Sequence, residues 1–220
     1  MTRAVRCRRS TVVPHGVNPR FLREPSVPRA IDDCSATRPL QLLYVSIIDM
    51  YKHQAQVAEA VAGLHATGLP LRLDLVGPAY GPALAHLRAT LAQVDPRGQC
   101  VHYRGAVPYP SLPVLYHQAD LFVFASSCEN MPNILLEAMA AGLPIACSNR
   151  GPMPEVLGDA GTYFDPERPE EIAAAVRALA ESPSLRREKA ALAYERAQAY
   201  SWQRCARETF GFLEGVVSRR

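Results

Sequence analysis

The chain is 220 residues long, 48% apolar and 20% charged, with a formal net charge of +3. That is room for one large domain with a real core. The mild charge gives no case for a nucleic-acid partner, and no apolar run is long enough to span a bilayer. The start, M-T-R-A-V-R-C-R-R-S, is basic but has no apolar stretch and does not read as a secretory signal. Cys7, Cys34, Cys100, Cys128, Cys147 and Cys205 are scattered, with no C-x-x-C and no metal-ligand spacing. Several fall in apolar runs, where a free thiol acts as a small hydrophobe, which suits a reducing cytoplasm.

Taken in order, residues 1–38 carry Pro14, Pro19, Pro25 and Pro28, with Pro39 next, and read as an extended linker. Leu40 to Ser46 (L-Q-L-L-Y-V-S) is the first strand. A helix over Tyr51 to Ala66 follows, with Lys52, one of only two lysines, near its start. Leu71 to Val76 alternates and ends at Gly77, a strand then a turn. Pro82 to Val94 is helical, Gln99 to Tyr103 is a strand followed by R-G-A-V, and Ser111 to Gln118 is a short helix.

The stretch with chemistry begins at Asp120 to Ala125 (D-L-F-V-F-A), an apolar run that reads as a buried strand. After a turn, Pro132 opens a helix whose Ile134, Leu135, Ala138 and Met139 share one face. Gly142 stops it, Pro144 follows, and Leu143 to Cys147 is a second buried strand. This strand–helix–strand unit predicts a parallel sheet. Ligands of such sheets bind at the carboxyl ends of strands. There the backbone N–H groups of Met131, Asn133 and Ile134 are expected as orphan donors suited to phosphate. Glu129 in the turn and Glu137 on the helix flank them, placed to accept hydroxyls from a sugar or ribose. The plainer reading of each alone is a helix-start acid for Glu129 and a solvated helix residue for Glu137.

Beyond it, N-R-G-P-M-P-E starts a helix at about Met153, and Tyr163–Phe164 is an edge strand. Pro169 to Glu181, Ser184 to Ala199 and Ser201 to Val217 read as three amphipathic helices. The fold class is therefore α/β: a doubly wound, Rossmann-like parallel sheet of about six strands with C-terminal helices.

E-N-M-P-N-I-L-L-E-A-M-A-A-G-L-P-I resembles the donor-site motif of family-four glycosyltransferases, retaining enzymes of the GT-B fold. The motif is a Glu, seven residues, a second Glu, then Ala and a Gly-x-Pro strand start. The resemblance implies that Glu129, the candidate catalytic residue, binds the donor sugar, and that Glu137 grips the nucleotide ribose. It implies that the Met131–Ile134 backbone meets sugar and diphosphate. Glu129 is also the nearby carboxylate that a double displacement would need, and it is read as a binding group instead. The family's G-R-L, three residues, Lys stretch aligns on Lys52, a diphosphate ligand, but puts Ser46 at the Gly and Ile47 at the Arg. The Gly105, Ala106 and Val107 turn corresponds to the one that reads the nucleotide base. T-V-V-P-H-G-V-N resembles the family's domain junction, and Y-S-W its terminal crossing helix.

The resemblance thus divides the chain into a junction remnant over 1–38, a nucleotide-sugar-binding domain over 39–199 and a crossing helix over 200–220. It implies one half of a GT-B pair, with the N-terminal acceptor domain missing and the isolated chain inactive. The implied function is transfer of a sugar from a nucleotide diphosphate sugar, with retention, to a sugar, lipid-linked or small-molecule acceptor. No cofactor or metal is implied, and peripheral membrane association of the full enzyme is left open. The rival readings are a non-catalytic nucleotide-sugar-binding module and a GT-B-type sugar-nucleotide epimerase.

Overall fold

A computed structural model describes residues 10–217. The basic start and Cys7 lie outside the described residues. The strands are β1 (Leu40–Val45), β2 (Leu71–Val76), β3 (Val101–Gly105), β4 (Leu121–Phe124), β5 (Ile145–Ser148) and β6 (Gly161–Phe164). They form one sheet in the order β3-β2-β1-β4-β5-β6, and every pairing is parallel. The expected α/β, doubly wound architecture is therefore what the chain adopts. All residues of β4 and β5 are buried, which is why both read as apolar runs, with Ser148 the polar end of β5.

The helices are α1 (Gln54–Ala66), α2 (Gly81–Val94), α3 (Leu112–Gln118), α4 (Asn133–Ala140), α5 (Met153–Leu157), α6 (Pro169–Glu181), α7 (Pro183–Ala197) and α8 (Trp202–Val217). The layers show in the packing: α1 lies against α2 and α6, and α4 against α5 and α7. Leu135, Leu136 and Met139 of α4 are fully enclosed, and each such burial contributes about 1.5–3 kcal/mol.

Two local departures from expectation matter for the cleft. The first helix begins at Gln54 rather than Tyr51, because His53 sits in the left-handed region at φ 52° and splits off a 3₁₀ turn over Met50–Lys52. The helix after β4 begins at Asn133, with Pro132 as its cap at φ −79°, ψ 75°. That is an inverse γ-turn, closed by Asn133 N–H to Met131 C=O at 2.9 Å.

The stretch before β1, expected as an extended linker, carries 3₁₀ turns at Pro19–Phe21 and Ile31–Asp33 and is pinned to the body. Val17 N–H donates to Tyr200 C=O at 3.2 Å, and Arg23 N–H to Ala140 C=O at 3.0 Å. Arg29 pairs with Asp120 at 2.6 Å, and Phe21 is wholly buried against Tyr116. Gly16 is required at its position, since a Cβ there would lie 2.0 Å from Trp202 N.

The ends of β1 and β2 meet just as closely. Gly77 has φ +148°, and a Cβ on it would stand 2.0 Å from Ser46 O. Gly77→Ala is expected to cost about 3 kcal/mol of stability through strain and forced separation of the strand ends. Urea unfolding checks this, and a midpoint equal to that of the parent chain would show that the ends can part freely.

Candidate nucleotide-sugar site

Two segments build the site's charged side. The 3₁₀ turn after β1 carries Lys52, and the loop after β4 carries Glu129. The two segments are tied together by Ser127 N–H to Tyr51 C=O at 2.9 Å and by His53 Nε2 with Ser127 Oγ at 3.0 Å. Lys52 is only 4% exposed. Its Nζ donates to Glu129 Oε1 and lies 4.9 Å from the Tyr51 ring and 5.6 Å from the Phe124 ring. The Lys52 carbonyl accepts the Tyr44 hydroxyl at 2.7 Å. Burial of the imidazole pushes the His53 pKa down, so it resists taking a second charge into this corner.

The N-terminus of α4 stands next to this pair. Its hydrogen-bond ladder opens with Leu136 N–H to Pro132 C=O at 3.1 Å. The Asn133 amide, expected as an orphan donor, is instead engaged by the γ-turn. Within the helix, Ile134 and Leu135 N–H remain the donors without a partner. The Asn133 side chain points its Oδ1 to His15 Nδ1 at 3.1 Å, and the His15 ring stacks on Trp202 with centroids 5.6 Å apart.

Glu137 lies one turn further along α4 and is 8% exposed, not the solvated helix residue of the plainer reading. Tyr116 Oη donates to its Oε2 at 3.0 Å, and Tyr109 Oη to its Oε1 at 3.3 Å. Burial pushes the Glu137 pKa up, and the two hydroxyls partly offset that. Both tyrosines escaped the sequence reading. They contact Glu137 from 21 and 28 residues away, and nothing local marks such a contact.

Between these features opens a cleft of ≈ 230 Å³. The ends of β1 and β2 supply Ser46, Ile47 and Gly77, the β3–α3 connection supplies Val107 and Tyr109, and α4 supplies Ile134 and Glu137. Gly105 turns the chain at φ +70°, and its carbonyl accepts Gly77 N–H at 2.9 Å. Ala106 and Val107 follow beyond the ladder. Thus Val107, Ile134 and Glu137 share the cleft, Met131 lies in the γ-turn ahead of α4, and Lys52 and Glu129 pair with each other but are not among the residues lining the cleft. No group of three or more His, Cys, Asp or Glu suited to a metal occurs among the described residues.

The family model for glycosyl transferases group 1 matches residues 34–196. The chain belongs to that family. It is 38% identical over 109 residues to the O-antigen chain mannosyltransferase B of Escherichia coli, covering 50% of this chain and 29% of that protein. It is 32% identical over 184 residues to a GDP-mannose-dependent alpha-(1-6)-phosphatidylinositol dimannoside mannosyltransferase of Mycobacterium tuberculosis, covering 81% of this chain and 45% of that protein. Among solved structures, a sucrose-phosphate synthase from Thermosynechococcus elongatus superposes with TM-score 0.78 at 24% identity, over 94% of this chain and 53% of that one. The chain therefore spans less than half the length of those two curated relatives, and this last likeness concerns the fold.

The buried carboxylate makes stability depend on pH. With the folded-state pKa of Glu137 raised above its ordinary value near 4.5, the folded state holds its proton where the unfolded chain has lost it. Stability then falls as pH rises through that interval and stays lower above it. Glu137→Gln removes the charge while its amide can still meet both tyrosine hydroxyls. The variant is expected to match the parent at acidic pH and to be more stable at mildly alkaline pH, by urea midpoints. Equal midpoints at both would show that ionised Glu137 is not strained.

Proposed function

We propose that the cleft binds a nucleoside diphosphate sugar and serves transfer of the sugar, with retention, to an acceptor. The observation that carries this is one arrangement at the carboxyl ends of β1 and β4. α4 opens with the unpaired amides of Ile134 and Leu135, after Glu129 in the preceding loop, which pairs with buried Lys52, and ahead of buried Glu137 one turn on.

Each part has a chemical task in this reading. Ile134 and Leu135 N–H, at the positive end of α4, and Lys52 stabilise the leaving diphosphate. Met131 and Asn133 shape the turn that aims those amides. Glu129 accepts hydroxyls of the sugar once Lys52 turns to phosphate. Glu137 accepts the ribose hydroxyls. Gly105, Ala106 and Val107 meet the base through backbone groups, within a largely apolar wall. The donor itself is the substrate, so no resident cofactor is invoked. The name of the mycobacterial relative specifies GDP-mannose, which makes that donor the first to test.

The acceptor, a sugar, a lipid-linked or a small-molecule alcohol, is proposed to be held by a second lobe outside these 220 residues. Facing lobes hold acceptor and donor in line, and such positioning supplies about 7–11 kcal/mol of a barrier. A reducing cytoplasm fits the free thiols of Cys34, Cys100, Cys128, Cys147 and Cys205. No described helix is long and apolar enough to cross a membrane.

Calorimetry of the 220-residue chain with GDP-mannose and UDP-glucose tests the binding role. At least one is expected to bind, and Glu137→Ala is expected to weaken it by about 1.5–3 kcal/mol, the worth of charge-assisted bonds to ribose. Affinity unchanged by the substitution would refute the ribose role. Transfer is expected to be near zero for the chain alone and to appear in a longer form that includes the second lobe. Equal turnover by both would refute the two-lobe reading.

A further inference from the structure

Of the two tyrosines on Glu137, only one belongs to the core. Tyr116 is fully enclosed, stacked on Phe122 and edge-on to Phe21. Tyr109 is 51% exposed and lines the cleft. A half-exposed phenol that still donates to a buried carboxylate has one side turned to whatever occupies the cleft.

Its setting fixes that posture. Tyr109 stands between Pro108 and Pro110, whose rings restrict the chain and reduce the entropy lost in holding it. Its ring leans on buried Phe21, with centroids 5.8 Å apart at 59°. The Asn18 side chain lies near the Tyr109 oxygen and acts to lower its pKa, as a donor does, while Asn18 Oδ1 accepts Arg20 N–H at 3.0 Å. A donor group on the Asn18 side of the phenol oxygen favours the orientation in which its own proton points at Glu137 Oε1, 3.3 Å away. Burial and the nearby carboxylate both push the Tyr109 pKa up, so the hydroxyl keeps the proton it donates.

We propose that Tyr109 is a positioning residue for donor binding: its hydroxyl holds the Glu137 carboxylate in the orientation that accepts the ribose hydroxyls of a nucleoside diphosphate sugar. This rests on the reading of the cleft as a nucleotide-sugar site. Each carboxylate oxygen has two lone pairs. Tyr116 and Tyr109 take one apiece, one on each oxygen, which leaves an acceptor position on each oxygen of this cleft-lining residue for a ribose hydroxyl. Without Tyr109, the carboxylate is anchored through Oε2 alone and can swing about it. Its ionised form also loses a donor, so its proton is held to higher pH. Among the described residues, the titratable side chains that meet Glu137 are these two tyrosines, and no Lys, Arg or His bonds it.

The experiment measures the affinity of GDP-mannose and UDP-glucose for the 220-residue chain from mildly acidic to mildly alkaline pH. The parent chain, Tyr109→Phe and Glu137→Gln are compared, with melting temperatures taken alongside. The parent should lose affinity as pH falls through the Glu137 pKa. Tyr109→Phe should bind about three- to tenfold more weakly at alkaline pH, the worth of one hydrogen bond, and its acid loss should begin at higher pH. Glu137→Gln should be flat over the same range. Should Tyr109→Phe fail to fold, Asn18→Ala, which keeps the phenol but removes the donor that orients it, should move the midpoint the same way. A Tyr109→Phe profile that superposes on the parent's, with Glu137→Gln flat, overturns this inference and leaves the cleft reading standing. A parent chain that binds neither probe overturns both, and a Glu137→Gln profile that still tracks the parent's removes the ribose role and this inference with it.

Discussion

Between β1 and β4 the strand order reverses, and the rest of the molecule follows from that reversal. Right-handed crossovers leaving two adjacent strands in opposite directions must send their helices to opposite faces of the sheet. The carboxyl ends of β1 and β4 are therefore roofed by neither helix. The turn after β1 and the loop after β4 face each other across that gap. Lys52 meets Glu129, and Ser127 meets both Tyr51 and His53. Gly77 lets the end of β2 close against Ser46 and completes the floor. None of these contacts is local in sequence, and all of them are imposed by topology.

The groups gathered there oppose folding. Lys52 and Glu129 lose hydration when they pair out of water, and an apolar pair would serve stability as well. Glu137 carries a charge that its surroundings disfavour, offset in part by two phenols. The apolar packing of α4 and the enclosed β4 and β5 strands makes this tolerable. A site that is costly in place but held from behind by a packed core has the character of a functional site.

Much of this was legible in the sequence, for physical reasons. Buried parallel strands are dominated by apolar residues, so the runs Leu121–Phe124 and Ile145–Cys147 announce themselves, and Gly142 with Pro144 marks the turn between α4 and β5. The family motif singled out Glu129, Glu137 and Lys52, and the fold pairs Lys52 with Glu129 and sets Glu137 apart on two tyrosines. Illegible were features decided by one backbone angle or by tertiary approach. The left-handed His53 detached Lys52 from α1, and the γ-turn at Pro132 took the Asn133 amide. The burial of Glu137 depends on Tyr109 and Tyr116 arriving from the β3–α3 connection and from α3, and a strongly polar residue on a helix gives no sign of it. The stretch before β1 read as linker because prolines dominate it, yet Phe21 and Arg29 bind it to the body.

Ile47 sets the remaining problem in electrostatics. It stands where the family's motif has Arg and presents an apolar side chain to the cleft. A diphosphate arriving there brings about two negative charges, yet Lys52 is already neutralised by Glu129. If Lys52 simply kept its partner, the anion would meet a site with no net positive charge and an adjacent carboxylate. The proposed exchange resolves this. Lys52 turns to phosphate, and Glu129, released, is compensated by sugar hydroxyls instead of a cation. The deficit left by Ile47 then falls on the α4 terminus, where the amides of Ile134 and Leu135 and the helix dipole require no counter-charge of their own. A donor lacking either the sugar or the diphosphate would leave one half of the exchanged pair uncompensated. On the proposed reading, recognition of the sugar and of the diphosphate is coupled through the Lys52–Glu129 ion pair.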